Sequence, residues 1–167
     1  MTIRNENLEL AFAVAEKYCT EPRRDGSPAM CHVRNVPLIL EELLDDSCNY
    51  HELYELKCVA ILHDVVEDCL DKDPNDNSAL EDIQRLDETG KLSKIIEILT
   101  HRPGEPYEDY ITRIVKSNSV APTYVKLADM IDNLTTDGTT INQKNKYRRA
   151  LPRLIKRMAI LGEQPTP

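Results

Sequence analysis

Cys58-Val59-Ala60-Ile61-Leu62-His63-Asp64-Val65-Val66-Glu67-Asp68 runs from an apolar segment straight into one imidazole and three carboxylates. Its first half is apolar enough to form a buried helix. On a helix advancing about 100° per residue, His63 and Glu67 stand one turn apart, as do Asp64 and Asp68, and apolar side chains fill most of the remaining circumference. One face therefore carries four ionisable groups toward the core. Burying such groups is costly unless they are paired, hydrogen-bonded or bound to a metal. No Lys or Arg lies between Lys57 and Lys72 to pair with them locally, so a divalent cation is the simplest remedy. Taken singly, His63 reads as a hydrogen-bonded core histidine, and Glu67 and Asp68 as a solvated helix end.

Two distant segments change that balance. Upstream, Arg23-Arg24-Asp25-Gly26-Ser27-Pro28 leads to His32; downstream, Val125-Lys126-Leu127-Ala128-Asp129-Met130-Ile131-Asp132-Asn133-Leu134 sets Asn133 one helical turn after Asp129. Together these stretches resemble the HD-domain metal phosphohydrolases, and within them the hydrolase domain of the RelA/SpoT family of alarmone enzymes. His63 to Asp68 is similar to that family's HD-x-x-ED motif, Lys126 to Asn133 to its KLAD-x-x-x-N helix, and residues 23–28 to its basic segment before the first metal histidine. The resemblance runs from about residue 7 to about residue 160. A lone His-Asp pair is common, whereas the separated motifs in this order are specific. Leu99-Thr100-His101-Arg102, followed by Tyr107 and Tyr110, also looks like small stand-alone members, whose substrates vary.

The resemblance implies an all-α fold, a compact HD-domain helical bundle with a single buried metal site. It implies that His32, His63, Asp64 and Asp129 hold one divalent ion, Mn²⁺ in the resembled enzymes. Nitrogen and oxygen ligands suit Mn, Fe or Zn, and the lack of a thiolate pair argues against a closed structural zinc site. Glu67 and Asp68 then orient a water and take its proton. Arg23, Arg24 and Lys126 form a positive rim for phosphates, Asn133 hydrogen-bonds ribose or phosphate, and Tyr147 packs near the nucleotide. The family's reaction is removal of the 3′-pyrophosphate from guanosine tetra- or pentaphosphate. The expected function is a metal-dependent phosphohydrolase of that kind. One alternative is an HD nucleotidase or phosphatase acting on another nucleotide. Another is a non-catalytic nucleotide-binding regulatory module, against which the intact His-Asp and Glu-Asp pairs argue.

Composition sets outer bounds. A length of 167 residues, 41% of them hydrophobic, fits one domain, 1–167, with a real core, and leaves no room for the family's synthetase and regulatory regions. Cys19, Cys31, Cys48, Cys58 and Cys69 are odd in number and lack C-x-x-C spacing, which points to reduced thiols and a cytoplasmic protein. No apolar run approaches a membrane span, and residues 1–20 are too polar for a secretory signal. The net charge of −8 is uneven: Lys144, Lys146, Arg148, Arg149, Arg153, Lys156 and Arg157 fall in a stretch without acidic residues. They form either the solvated face of an amphipathic helix or part of the phosphate rim. The overall acidity and scarcity of aromatic residues argue against nucleic acid and for a small nucleotide as partner.

Periodicity predicts helices throughout: one after Asn5, then Leu38 to Leu44, a long one from Tyr50 to Asp68 capped by Ser47 or Asn49, and a loop from Asp71 to Asn77. Ser78-Ala79-Leu80-Glu81 has the pattern of a capping box for a helix stopping at Gly90. Leu92 to Leu99, Tyr107 to Lys116, Pro122 to Leu134 and Gln143 to Leu161 follow. Pro37 places the start of the second helix near Asn35, which leaves His32 before it.

Overall fold

A computed structural model describes residues 5–44, 50–87 and 89–162 of the chain. Among them are nine helices and no strand: α1 (Asn5–Tyr18), α2 (Ala29–Leu43), α3 (Tyr50–Leu62), α4 (Val65–Lys72), α5 (Ser78–Leu86), α6 (Lys91–Leu99), α7 (Tyr107–Val115), α8 (Ala121–Thr135) and α9 (Ile141–Gly162). The fold is all-α, as the sequence implies. α8 is its axis, packed against α2, α3, α6, α7 and α9. A helix apolar on nearly every side belongs inside a bundle, and α8 buries Val125, Leu127, Ala128 and Met130 together with the polar Asp129 and Asp132. Leu40, Ile61, Leu62, Ile96, Ile111, Ile114 and Leu154 close around it, each almost wholly buried. The site residues on α8 thus stand on the most constrained element.

Three expectations about boundaries are corrected. The long helix from Tyr50 to Asp68 is two helices, broken at His63 and Asp64. His63 Nδ1–H donates back to the Ala60 carbonyl at 2.7 Å, a local side-chain bond of the kind that competes with helix continuation. Asp64 takes the cap position of α4, with its carbonyl accepting the Asp68 N–H at 2.8 Å. The caps expected at Ser47 or Asn49 lie outside the described residues.

α2 begins at Ala29, not near Asn35, so His32 is helical and Pro37 sits inside the helix. Pro37 lacks the N–H that would bond back one turn. The burial of Val33, Val36 and Leu40 beside it holds the helix together regardless, since packing of the apolar face supplies most helical stability in proteins. Finally, Ser78 is the first residue of α5 and not its cap. Asn77 holds that position, and the Ser78 N–H is taken by Asp76 Oδ1 at 2.8 Å. α5 ends at Leu86, because Asp87 turns away to cap α6 through the Leu92 and Ser93 N–H groups at 2.6 and 3.3 Å. Gly90, at φ 68°, supplies the left-handed residue this turn requires.

Cys19, Cys31, Cys58 and Cys69 are unbridged, and Cys48 lies outside the described residues. No helix among the described residues is long and apolar enough to cross a membrane.

Candidate metal centre and active site

His32 from α2, His63 and Asp64 from the α3–α4 break, and Asp129 from α8 converge so that one ligand atom of each lies within 4.8 Å of the others. The two Nε2 atoms are 3.2 Å apart. His32 Nε2 stands 3.4 Å from Asp64 Oδ2 and 3.3 Å from Asp129 Oδ1, and His63 Nε2 stands 3.2 and 3.7 Å from the same atoms. Neighbouring ligands around an ion with bonds near 2.1 Å are about 3.0–3.4 Å apart. The break at His63 and Asp64 matters here, since it lets consecutive side chains face one point.

The other ring nitrogens explain why this cluster suits a cation. His32 Nδ1 is 2.6 Å from Asp132 Oδ2, and His63 Nδ1 faces the Ala60 carbonyl. Both acceptors lock the proton on Nδ1 and turn the Nε2 lone pair toward the cluster. Two facing lone pairs and two carboxylates repel unless positive charge lies among them. Protons fill that need in the absence of an ion. Burial alone would lower the His63 pKa, but Asp64 and Asp129 outweigh it and push it up to about 9. His32 is likewise raised, against its burial, by Asp129, Asp132 and Asp64. Asp129, which burial would raise, is held well below the usual carboxylate range by the Lys126 ammonium and the two histidines. The donor set fits a divalent first-row ion.

Asp132 is the functional residue that the sequence reading passed over. Besides His32, it accepts from Asn35 Nδ2 at 2.9 Å and pairs with Arg23 Nη1 at 2.7 Å. Burial would raise its pKa, and the His32 and Asn35 bonds hold it low. The available signal was its spacing: three residues after Asp129, it lies on the same side of α8.

The residues expected to bind substrate fall into two groups. Arg23, besides its pair with Asp132, donates to Asn133 Oδ1 at 3.2 Å; Asn133 Nδ2 donates to Asp129 Oδ1 and Lys126 Nζ to Asp129 Oδ2, both at 2.5 Å. Three of the five thus brace the cluster from the protein side. Arg24 is exposed, bonds Gln143 Oε1, and shares a cleft with His32, Asp64, Asp68 and Asn133. A Cβ on Gly138 would stand 3.3 Å from the Arg24 backbone carbonyl carbon, so this loop rests directly on the α8–α9 turn. Tyr147 is buried, its pKa pushed up to about 12 by burial and the nearby Asp129. On α9, Arg149 and Arg153 pair with Glu108, and Arg157 donates to the Ser117 carbonyl at 3.0 Å. That part of the basic face fastens α9 to α7.

Glu67 and Asp68 lie on α4, one turn beyond the ligands. Glu67 Oε2 accepts the His101 N–H at 3.1 Å, and burial with the Asp64 charge pushes its pKa up to about 7. The same two causes push Asp68 up to about 6. The His101 ring is held by its Nε2–H donating to the Glu105 carbonyl at 2.8 Å, and the segment before it is fixed by a residue that no motif marked. Arg113 donates to the carbonyls of Glu97, Ile98 and Thr100 at 2.9, 2.7 and 2.9 Å and pairs with Glu105 at 2.6 Å, capping the end of α6 from α7.

An all-α bundle with a buried His/Asp cluster between the helix after a basic loop, a broken helix and a central helix is the HD-domain fold that the sequence resemblance implies. Among solved structures, the chain is similar to a metazoan ortholog of SpoT that hydrolyses ppGpp and plays a role in starvation responses, with 23% identity, a TM-score of 0.65, and coverage of 92% of this chain and 85% of that one. No protein-family model matches the sequence, and no curated protein matches it either.

Proposed function

We propose that the protein is a metal-dependent phosphohydrolase that removes the 3′-pyrophosphate from guanosine tetra- or pentaphosphate, with Mn²⁺ as its ion. The observation that carries this reading is the pair of Nε2 lone pairs, 3.2 Å apart and facing two carboxylates. Such a cluster has little use in a protein that only binds nucleotide. His32, His63, Asp64 and Asp129 hold the ion. When bound, a divalent ion lowers the pKa of water and offsets charge on phosphorus.

The chain's own residues supply the rest. Glu67, steadied by the His101 N–H, orients the attacking water and takes its proton, and Asp68 assists at the neighbouring position of the cleft. A carboxylate whose pKa sits near neutrality is suited to that exchange. Arg24 guides the phosphates in from solvent, while Lys126 and Asn133 keep further N–H donors for phosphate oxygens. The water oxygen bonds to phosphorus, the bond from phosphorus to the 3′ oxygen breaks, and the ribose oxygen takes up a proton from solvent, to which Glu67 gives back the one it took.

The test is a panel of nucleotides incubated with Mn²⁺-loaded protein, with pyrophosphate and orthophosphate measured separately. Pyrophosphate from guanosine tetraphosphate is expected. Orthophosphate from another nucleotide would replace this substrate with a nucleotidase reading. Full metal loading with no turnover of any nucleotide would overturn the enzyme reading altogether.

A further inference from the structure

Tyr107 opens α7 immediately after Pro106, and its ring is held on three sides: by the His101 ring at 6.0 Å, the Tyr110 ring at 5.8 Å, and the Lys146 ammonium 5.3 Å above its face. Its hydroxyl oxygen is sealed from solvent yet has no hydrogen-bond partner among the described residues. A buried unpaired hydroxyl costs free energy that a phenylalanine at the same place would not. Tyr110, one turn on, shows the usual solution, donating its hydroxyl to the Leu99 carbonyl at 2.6 Å.

Two ammonium groups stand close to Tyr107: Lys146 above its own ring, and Lys126, whose Nζ is 5.3 Å above the adjoining Tyr110 ring. The carboxylates of Asp129, a member of the metal cluster, and of Glu108 act on the same hydroxyl. Lys126 spends one N–H on Asp129 and, as an ammonium, has two more to give. Burial raises the Tyr107 pKa above its ordinary value, so the hydroxyl keeps its proton and acts as a donor. A polar group left unpaired in the free protein beside a spare ammonium is complementary to a ligand oxygen.

We infer that Tyr107 donates its hydroxyl hydrogen to a phosphate oxygen that Lys126 also binds, forming a phosphate subsite on the α7–α8 side of the cluster. This rests on the phosphohydrolase reading of the same site and adds to it a binding residue that lies in neither the His63 to Asp68 nor the Lys126 to Asn133 motif. Tyr107 is the part of Leu99-Thr100-His101-Arg102 and its tyrosines that faces substrate, while His101 serves Glu67 through its backbone.

The test compares Tyr107→Phe with the unaltered protein, both loaded with Mn²⁺. Equilibrium binding of inorganic pyrophosphate and the melting temperature are measured for each. Loss of one hydrogen bond to a charged oxygen should weaken pyrophosphate binding about tenfold or more, while removal of the unpaired hydroxyl should leave the melting temperature unchanged or raise it by a few degrees. Equal pyrophosphate affinity in the two proteins, or no pyrophosphate binding by the unaltered protein, would overturn the subsite. So would a lower melting temperature, since the hydroxyl would then already be bonded in the free protein. Tyr107-dependent pyrophosphate binding without hydrolysis of any nucleotide would leave this inference standing and remove the phosphohydrolase reading.

Discussion

On the α2–α8 side of the cluster, His32, Asn35, Asp132, Arg23 and Asn133 form a continuous chain of hydrogen bonds and ion pairs that ends on Asp129. On the α4–α7 side the polar groups are less fully engaged: Glu67 accepts the His101 backbone N–H, and Tyr107 has a hydroxyl with no partner among the described residues. The carboxylates there have pKa values raised to about 7 and about 6, while Asp132 and Asp129 opposite are held low. A fully bonded wall holds geometry. A wall with spare donors and carboxylates near neutrality is equipped to bind and exchange protons.

The sharpest division expected from this contrast is between Asp64→Ala and Glu67→Gln. Asp64→Ala removes a ligand from a partly open site, so the purified protein should carry almost no metal and show no activity. Glu67→Gln should retain its metal and bind nucleotide nearly normally, yet lose turnover by a factor on the order of 10² or more. Metal content measured beside kcat decides the matter. Full metal occupancy in Asp64→Ala would remove the cluster from consideration, and a metal-free Glu67→Gln would move Glu67 across to the holding wall.

Asp132→Asn probes the bonded wall itself. It should cost about 10–100-fold in metal affinity while leaving kcat at saturating metal close to normal, because Asp132 reaches the cluster by orienting His32 and does not itself touch the reacting atoms. The same wall carries a pH signature. Without metal, the His63 pKa is raised from 6.5 to about 9. A raised pKa means that the protonated ring stabilises the metal-free fold fully below about pH 6.5 and that this contribution fades as pH rises through about 9. Metal binding needs neutral rings, so its affinity should strengthen across that same window, with protons released on binding. Melting curves with and without Mn²⁺ should therefore diverge as pH is raised from about 6 to about 9. A constant gap would contradict the cluster's electrostatics.

What could be recognised in the sequence and what could not follows the range of the interactions. The helices of residues 78–162 show in local periodicity, and His63 to Asp68 with Lys126 to Asn133 marks the cluster because each motif is contiguous. The role of Asp132 depends on His32, a hundred residues away, and without that partner it resembles any other helical aspartate. The break at His63 is set by a bond of only three residues' span, yet that bond leaves no periodic trace. Pro37 misled for a related reason, since its cost is local while the packing that overrides it comes from α8. The unpaired Tyr107 hydroxyl is invisible without coordinates, because only they reveal a missing partner.

The smallest expected effect separates two adjacent arginines that look equivalent in sequence. Arg23, with a side chain only 12% exposed, is bonded to Asp132 and Asn133. Arg24 is exposed and reaches Gln143 at the mouth of the cleft. Arg24→Ala should leave metal content and melting temperature unchanged and raise KM for a nucleotide a few-fold with kcat nearly constant, since it attracts and seats phosphate without touching the reacting atoms. The effect should shrink as salt rises, because an exposed charge is screened over about 10 Å at 0.1 M. Arg23→Ala should do the reverse, weakening metal binding through Asp132 with little dependence on salt. If the two variants behave alike, the bonded wall does not end where the hydrogen bonds place it: a shared KM effect would extend the substrate rim to Arg23, and a shared loss of metal would draw Arg24 into the support of the cluster.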